Sequence, residues 1–155
     1  MIDTLIELAT EAGMVIREIY ESGKFTTSIK SDNSPVTTAD EKANEIILRA
    51  LEQRFPKIPA ISEESENRVL EKEAFFIIDP LDGTKEFLKG NGEFTVNIGL
   101  IENKKPVLGI IYMPTKNKLY FTKDKKSYFS KLSKKGRLTN IRKIKVKKRN
   151  KKNFS

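Results

Sequence analysis

Ala74-Phe75-Phe76-Ile77-Ile78, running directly into Asp79-Pro80-Leu81-Asp82-Gly83-Thr84, is the stretch on which the fold turns. Five consecutive apolar residues predict a short strand buried on both faces. The carboxylates of Asp79 and Asp82 follow at its carboxyl end, where open sheets place ligands. Pro80 stiffens the turn, and Gly83 permits tight backbone geometry. Two acidic groups brought together repel each other, and burial raises their pKa values. A divalent cation removes that cost. Magnesium suits such a site, because it takes one or two carboxylates, a carbonyl, waters and phosphate oxygens. By itself the segment is equally readable as a turn that happens to be acidic.

Two further acidic points lie upstream. Ile61-Ser62-Glu63-Glu64 places a carboxylate pair after a short strand, Ala60-Ile61-Ser62. Asp40 follows Thr37-Thr38-Ala39 in the first turn of a helix. Each has a plain alternative: Asp40 favours the helix macrodipole there, and Glu63 with Glu64 is ordinary solvated loop charge. Three acidic clusters at element boundaries point instead to convergence on one end of a sheet. With no histidine and no cysteine in 155 residues, any metal ligand or base comes from oxygen donors or lysine. That excludes thiolate zinc sites, disulfides and cysteine nucleophiles, and favours hard cations.

The flanking elements follow from periodicity. Ile2, Leu5, Ile6, Ala9, Ala12, Val15, Ile16 and Ile19 form the apolar stripe of a helix over residues 2–21, ended by Gly23. Lys30-Ser31-Asp32-Asn33-Ser34-Pro35 is loop chemistry. A second helix begins with Thr38 and Glu41 as a capping box, Thr37 being the competing cap, and closes before Pro56. Phe94 to Ile101 alternates as a strand and, through a turn at Glu102–Lys105, meets Val107 to Tyr112 as an antiparallel partner. Leu119-Tyr120-Phe121 and Tyr128-Phe129 predict one more short hairpin.

Charge divides the chain. Residues 1–115 hold 13 Lys and Arg against 20 Asp and Glu, net −7, while residues 116–155 hold 17 against one, net +16. From Lys131 onward the apolar pattern fades among lysines, so residues 131–155 are expected to be a basic, disordered tail. The domain expected to fold is 1–130.

Asp79-Pro80-Leu81-Asp82-Gly83-Thr84-Lys85-Glu86-Phe87, preceded in order by Thr38-Ala39-Asp40 and Ser62-Glu63-Glu64, resembles the signature of the inositol monophosphatase superfamily. The continuation through Asn91-Gly92-Glu93-Phe94-Thr95-Val96-Asn97-Ile98 is similar to its 3′(2′),5′-bisphosphate nucleotidase (CysQ-like) branch. The resemblance covers about residues 1–130. It implies an α+β layered sandwich whose N-terminal half packs two helices on a largely antiparallel sheet. It implies Mg²⁺, two or more ions, held by Glu63, Asp79, Asp82 and the backbone carbonyl of Leu81. Backbone amides of Gly83 and Thr84 would hold phosphate, beside Glu63, Leu81 and Asp82. Thr84, partnered by Asp40 and assisted by Glu63, would orient and help deprotonate the attacking water. The implied reaction removes the 3′-phosphate of adenosine 3′,5′-bisphosphate, giving AMP and phosphate, in the service of sulfur assimilation. Inositol 1-phosphate is the alternative substrate. Glu64 and Glu86 are expected to be supporting or surface groups, and Lys85 and Lys89 to be solvated or to face an anionic substrate.

Family members continue with a further sheet layer and a Trp-Asp motif carrying one more metal ligand, and this chain has no tryptophan. The expectation is a truncated, N-terminal half with one metal site incomplete and one sheet face or edge uncovered. Outside enzymology, two readings stand: an inactive remnant, or a protein whose basic tail contacts an anionic surface, with no specific nucleic acid. With no signal peptide or long apolar run, the expected location is the cytoplasm, with a peripheral position on the inner membrane's cytoplasmic face as the variant. Oligomeric state is not legible from the residues.

Overall fold

The computed structural model describes residues 1–65, 72–133 and 136–145. Helix α1 (Ile2–Ser22) is followed by a hairpin of β1 (Thr27–Ile29) and β2 (Pro35–Thr37), then by α2 (Thr38–Arg54). Strands β3 (Ala60–Ser62) and β4 (Ala74–Asp82) lead to the short helix α3 (Thr84–Lys89). Strands β5 (Thr95–Glu102), β6 (Lys105–Met113), β7 (Lys118–Lys123), β8 (Lys126–Leu132) and β9 (Leu138–Ile144) complete the chain. Strands β3 to β9 form one seven-stranded sheet in sequence order. Only β3 and β4 run parallel; every later pair is antiparallel.

The apolar stripe of α1 does what its spacing dictates. Leu5, Leu8, Ala9, Ala12 and Ile16 are fully buried, and α1 packs on α2, β5 and β6 while α2 packs on β4. Gly13 allows this approach, because a Cβ there would lie 2.5 Å from the Tyr112 ring. Beneath the helices, alternate residues Phe76, Ile78, Val96, Ile98, Ile110, Tyr112 and Leu119 make the inner face of the sheet.

The opposite face is open, which corrects the reading of β4 as buried on both sides. Ile77 is 49% exposed and Ile111 47% exposed, on a face that no helix covers among the described residues. A shallow groove of about 820 Å³ runs along it, past Ile77, Gly99, Gly109, Ile111 and Tyr120 to Glu63 and Asp79. A continuous apolar run reports that both faces tolerate apolar side chains. It does not report whether both are covered.

Two other expectations change. The cap of α2 is Thr37, whose hydroxyl accepts from the Ala39 N–H at 3.1 Å, with Asp40 rather than Glu41 completing the capping box. The Thr38 hydroxyl is engaged by Thr26, 2.7 Å from its side chain and 3.1 Å from its N–H, and so is not free to cap. The expected disorder from residue 131 does not hold over Leu138–Ile144. That segment pairs with β8, and the Arg142 guanidinium lies 4.7 Å over the Phe129 ring. A neighbouring strand supplies the backbone partners that a charged segment lacks alone. Residues 146–155 lie outside the described residues.

The two faces of β4 predict opposite responses to truncation. Phe76→Ala removes a fully buried ring and should cost about 3–5 kcal/mol. Ile77→Ala, one position along, should cost about 1 kcal/mol or less. Urea unfolding of both variants measures the difference, and equal losses would show that the second face is covered in solution.

Candidate active site

The end of β4 is built to release its acidic residues from the ladder. Its pairing with β5 is regular through Asp79↔Asn97 and resumes only at Asp82↔Thr95, so two residues of β4 oppose one of β5. Pro80 has no N–H to give the ladder, and an irregularity there bends the strand. Leu81 turns its side chain into the core. Two residues on, Gly83 has φ 99°, and a Cβ on it would sit 2.9 Å from the Glu93 carbonyl oxygen. Helix α3 starts immediately after and is anchored by Phe87, whose ring lies 5.1–5.3 Å from those of Tyr20, Phe25 and Phe94.

Glu63 reaches the same place from β3. Its N–H donates to the Ile78 carbonyl at 3.0 Å, continuing the parallel pairing to the residue just before Asp79. Glu63, Asp79, Leu81, Asp82, Gly83 and Thr84 border one cavity of about 190 Å³, together with Ser34, Pro35, Lys85 and Glu86. The carboxyls of Asp79 and Glu63 meet directly. Burial first, then the Glu63 charge and a hydrogen-bond contact with Glu63, and then the Asp82 charge push the Asp79 carboxyl up to about 7. Asp82 faces the cavity but is turned toward β5, where its Oδ2 accepts from Asn97 Nδ2 at 3.1 Å. Thr95 Oγ1 in turn donates to Asn97 Oδ1 at 3.0 Å.

Asp40 borders the site from inside the protein. It is fully buried, and its Oδ2 accepts from the Thr37 N–H at 2.8 Å and the Thr37 hydroxyl at 2.6 Å. Its Oδ1 accepts from Thr84 Oγ1 at 2.9 Å, and that hydroxyl also lies 3.3 Å from the Leu81 carbonyl oxygen. One carboxylate therefore caps α2 and fixes the hydroxyl at the start of α3.

Sequence reasoning treated two residues here too lightly. Lys30, in the turn between β1 and β2, sets its Nζ 2.7 Å from Glu64 Oε1 and 3.6 Å from Glu63 Oε1. Asn97 stands opposite Asp79 in the sheet and orients Asp82. Neither carries a motif of its own; tertiary neighbours give each its role. Lys85 borders the cavity, whereas Lys89 pairs with Glu86 at 3.4 Å.

The donor set suits a hard divalent cation. All the donors are oxygens, and the raised Asp79 carboxyl marks unrelieved negative charge. Among the described residues no three acidic side chains are gathered closely enough to hold an ion by themselves. That arrangement still fits magnesium, which takes one or two carboxylates and completes its octahedron with waters and phosphate oxygens.

A parallel-to-antiparallel sheet under two helices, with acidic residues released at one strand end, defines a class of proteins whose site is lined by oxygen donors. The profile of the inositol monophosphatase family matches residues 1–155, and the chain belongs to that family. It is 50% identical over 124 residues to the 3′(2′),5′-bisphosphate nucleotidase CysQ of Buchnera aphidicola, covering 77% of this chain and 47% of that protein. The crystal structure of CysQ from Bacteroides thetaiotaomicron superposes with a TM-score of 0.70 at 44% identity, over 83% of this chain and 48% of that one. An IMPase/NADP phosphatase solved with Mg²⁺ and phosphate gives a TM-score of 0.72 at 25% identity, over 83% and 50%. The chain spans about half the length of the curated relatives it matches. No helix among the described residues is long and apolar enough to cross a membrane.

The Asp79 carboxyl, raised from 3.8 to about 7, sets a pH dependence whose sign follows from linkage. Its proton is bound more tightly in the folded state, so its contribution is fully present below the unfolded value near pH 4. It is lost as pH rises through about 7. In chelator, wild type should therefore lose stability relative to Asp79→Asn between about pH 4 and 7, the difference levelling off above that. Thermal melts of both proteins across that range measure it, and parallel curves would contradict the shift.

Proposed function

We propose that the protein is a magnesium-dependent phosphomonoesterase of the 3′(2′),5′-bisphosphate nucleotidase type. Its reaction would be hydrolysis of the 3′-phosphate of adenosine 3′,5′-bisphosphate to AMP and phosphate. The observation that carries the reading is the cavity at the end of β4, where the Glu63–Asp79 pair faces the Thr84–Asp40 pair. The 50% identity to a CysQ protein supports the choice of substrate.

Glu63, Asp79, Asp82 and the Leu81 carbonyl would hold magnesium. When bound, the ion supplies charge neutralisation and lowers the pKa of water. The protein's own groups supply position. Thr84 Oγ1 donates to Asp40, so its lone pairs face outward and can accept a proton from the attacking water while its own moves to Asp40 Oδ1. Asp40, dry and already holding two donors from Thr37, keeps that hydroxyl in one orientation. Backbone N–H groups of Gly83 and Thr84, at the turn into α3, would donate to the phosphate oxygens. Phosphoryl transfer asks for little more than positioning and charge stabilisation, which is why a site without histidine suffices.

Half of the relatives' length has no counterpart in this chain, so metal uptake and turnover are separate questions. Calorimetric titration should show magnesium binding that Asp79→Asn and Asp82→Asn each weaken by at least about tenfold, the order expected for losing one charged ligand. Phosphate release should be faster from adenosine 3′,5′-bisphosphate than from inositol 1-phosphate. Magnesium binding unchanged in both variants would end the site assignment, and the opposite substrate order would end the nucleotidase assignment.

A further inference from the structure

Glu63 and Glu64 are adjacent in sequence but differ in environment. The Glu63 side chain is 55% exposed and borders the cavity, whereas Glu64 is 10% exposed and is not among the residues bordering it. Between them stands the Lys30 ammonium, 2.7 Å from Glu64 and 3.6 Å from Glu63. The turn that carries Lys30 is tightly tied. Its N–H donates to the Ser34 carbonyl at 2.8 Å, its own carbonyl accepts from the Asn33 N–H at 3.0 Å, and Asp32 accepts from both the N–H and the hydroxyl of Ser34. Burial disfavours the Lys30 charge, yet the hydrogen bond and charge of Glu64, and then the charges of Glu63 and Asp40, raise its pKa on balance. Glu64 is raised too, burial outweighing its bond to Lys30.

A lysine at this place has two possible partners. Close pairing with Glu63 would occupy the carboxylate that a metal needs and add a positive charge beside the ion. Close pairing with Glu64 makes a locally neutral pair and leaves Glu63 facing the cavity. The observed distances favour the second.

We propose that Glu64 is a positioning residue that holds Lys30 away from Glu63, so that the Lys30–Glu64 pair sets the affinity of the site for magnesium. The proposal rests on the magnesium reading of the site and adds to it a role for two groups that touch neither ion nor substrate. It predicts effects of opposite sign. Glu64→Gln frees Lys30 to close on Glu63 and makes the surroundings one charge more positive, so magnesium should bind more weakly, on the order of tenfold. Lys30→Met leaves Glu64 as an extra negative charge beside the site, so magnesium should bind more tightly by a similar factor. The double variant restores the balance and should bind close to wild type, and Lys30→Arg should do the same.

Calorimetric magnesium titration of these proteins at low ionic strength, with no substrate present, decides the matter. A purely scaffolding role would weaken binding in both single variants, and that outcome overturns the proposal. So does equal affinity throughout. If Lys30→Met fails to fold, Glu64→Gln decides alone, and unchanged or tighter binding overturns the proposal. Wild type that takes up no magnesium would sink the metal reading itself and this inference with it. Wild-type binding with the wrong pattern of signs sinks this inference only.

Discussion

A carboxylate removed from water must be hydrogen-bonded, and Asp40 meets that requirement in a way that organises the molecule. It is fully buried, and its three accepted bonds come from two elements distant in sequence, Thr37 before α2 and Thr84 at the start of α3. Each bond to an ionised acceptor is stronger than a neutral one, and loss of any donor would leave charge uncompensated in the interior. The helix layer and the turn after β4 are therefore tied through one side chain. The same tie holds the Thr84 hydroxyl at the cavity edge, so fold and site share a constraint.

Around that point the electrostatics run in opposite senses. Asp40 is surrounded by hydrogen-bond donors. Asp79 lies beside Glu63 and Asp82, and burial together with their charges pushes its carboxyl up to about 7. Lys30 offsets part of the negative charge but is committed to Glu64. The remaining imbalance faces the cavity, where a divalent ion and a phosphate would meet it.

The sheet is finished on one side only. Its inner face is covered by α1 and α2, while Ile77, Val107 and Ile111 remain 41–49% exposed on the other. Relatives about twice as long share this half of the fold. The groove along the open face begins at Glu63 and Asp79, so whatever covers that face also forms a wall of the site.

Much of this was legible from residue order alone. The apolar spacing of α1 and α2, the alternation of β5 and β6, and the Asp79 to Thr84 segment each depend on local geometry, which a linear pattern records. Glu63, Asp79, Asp82 and Thr84, which border one cavity, stood out in the sequence because they sit at element ends in motifs. Other features were not legible, because they depend on which segments meet. Thr26 takes the Thr38 hydroxyl and leaves the α2 cap to Thr37; β8 turns a lysine-rich segment into a strand. The apolar run of β4 could not reveal that one of its faces lacks a cover. Sequence determined the elements and the chemical types at the site. Tertiary structure decided which acid is buried and satisfied, which is crowded and strained toward its protonated form, and which partner holds Lys30, because burial and charge proximity are properties of the assembled chain.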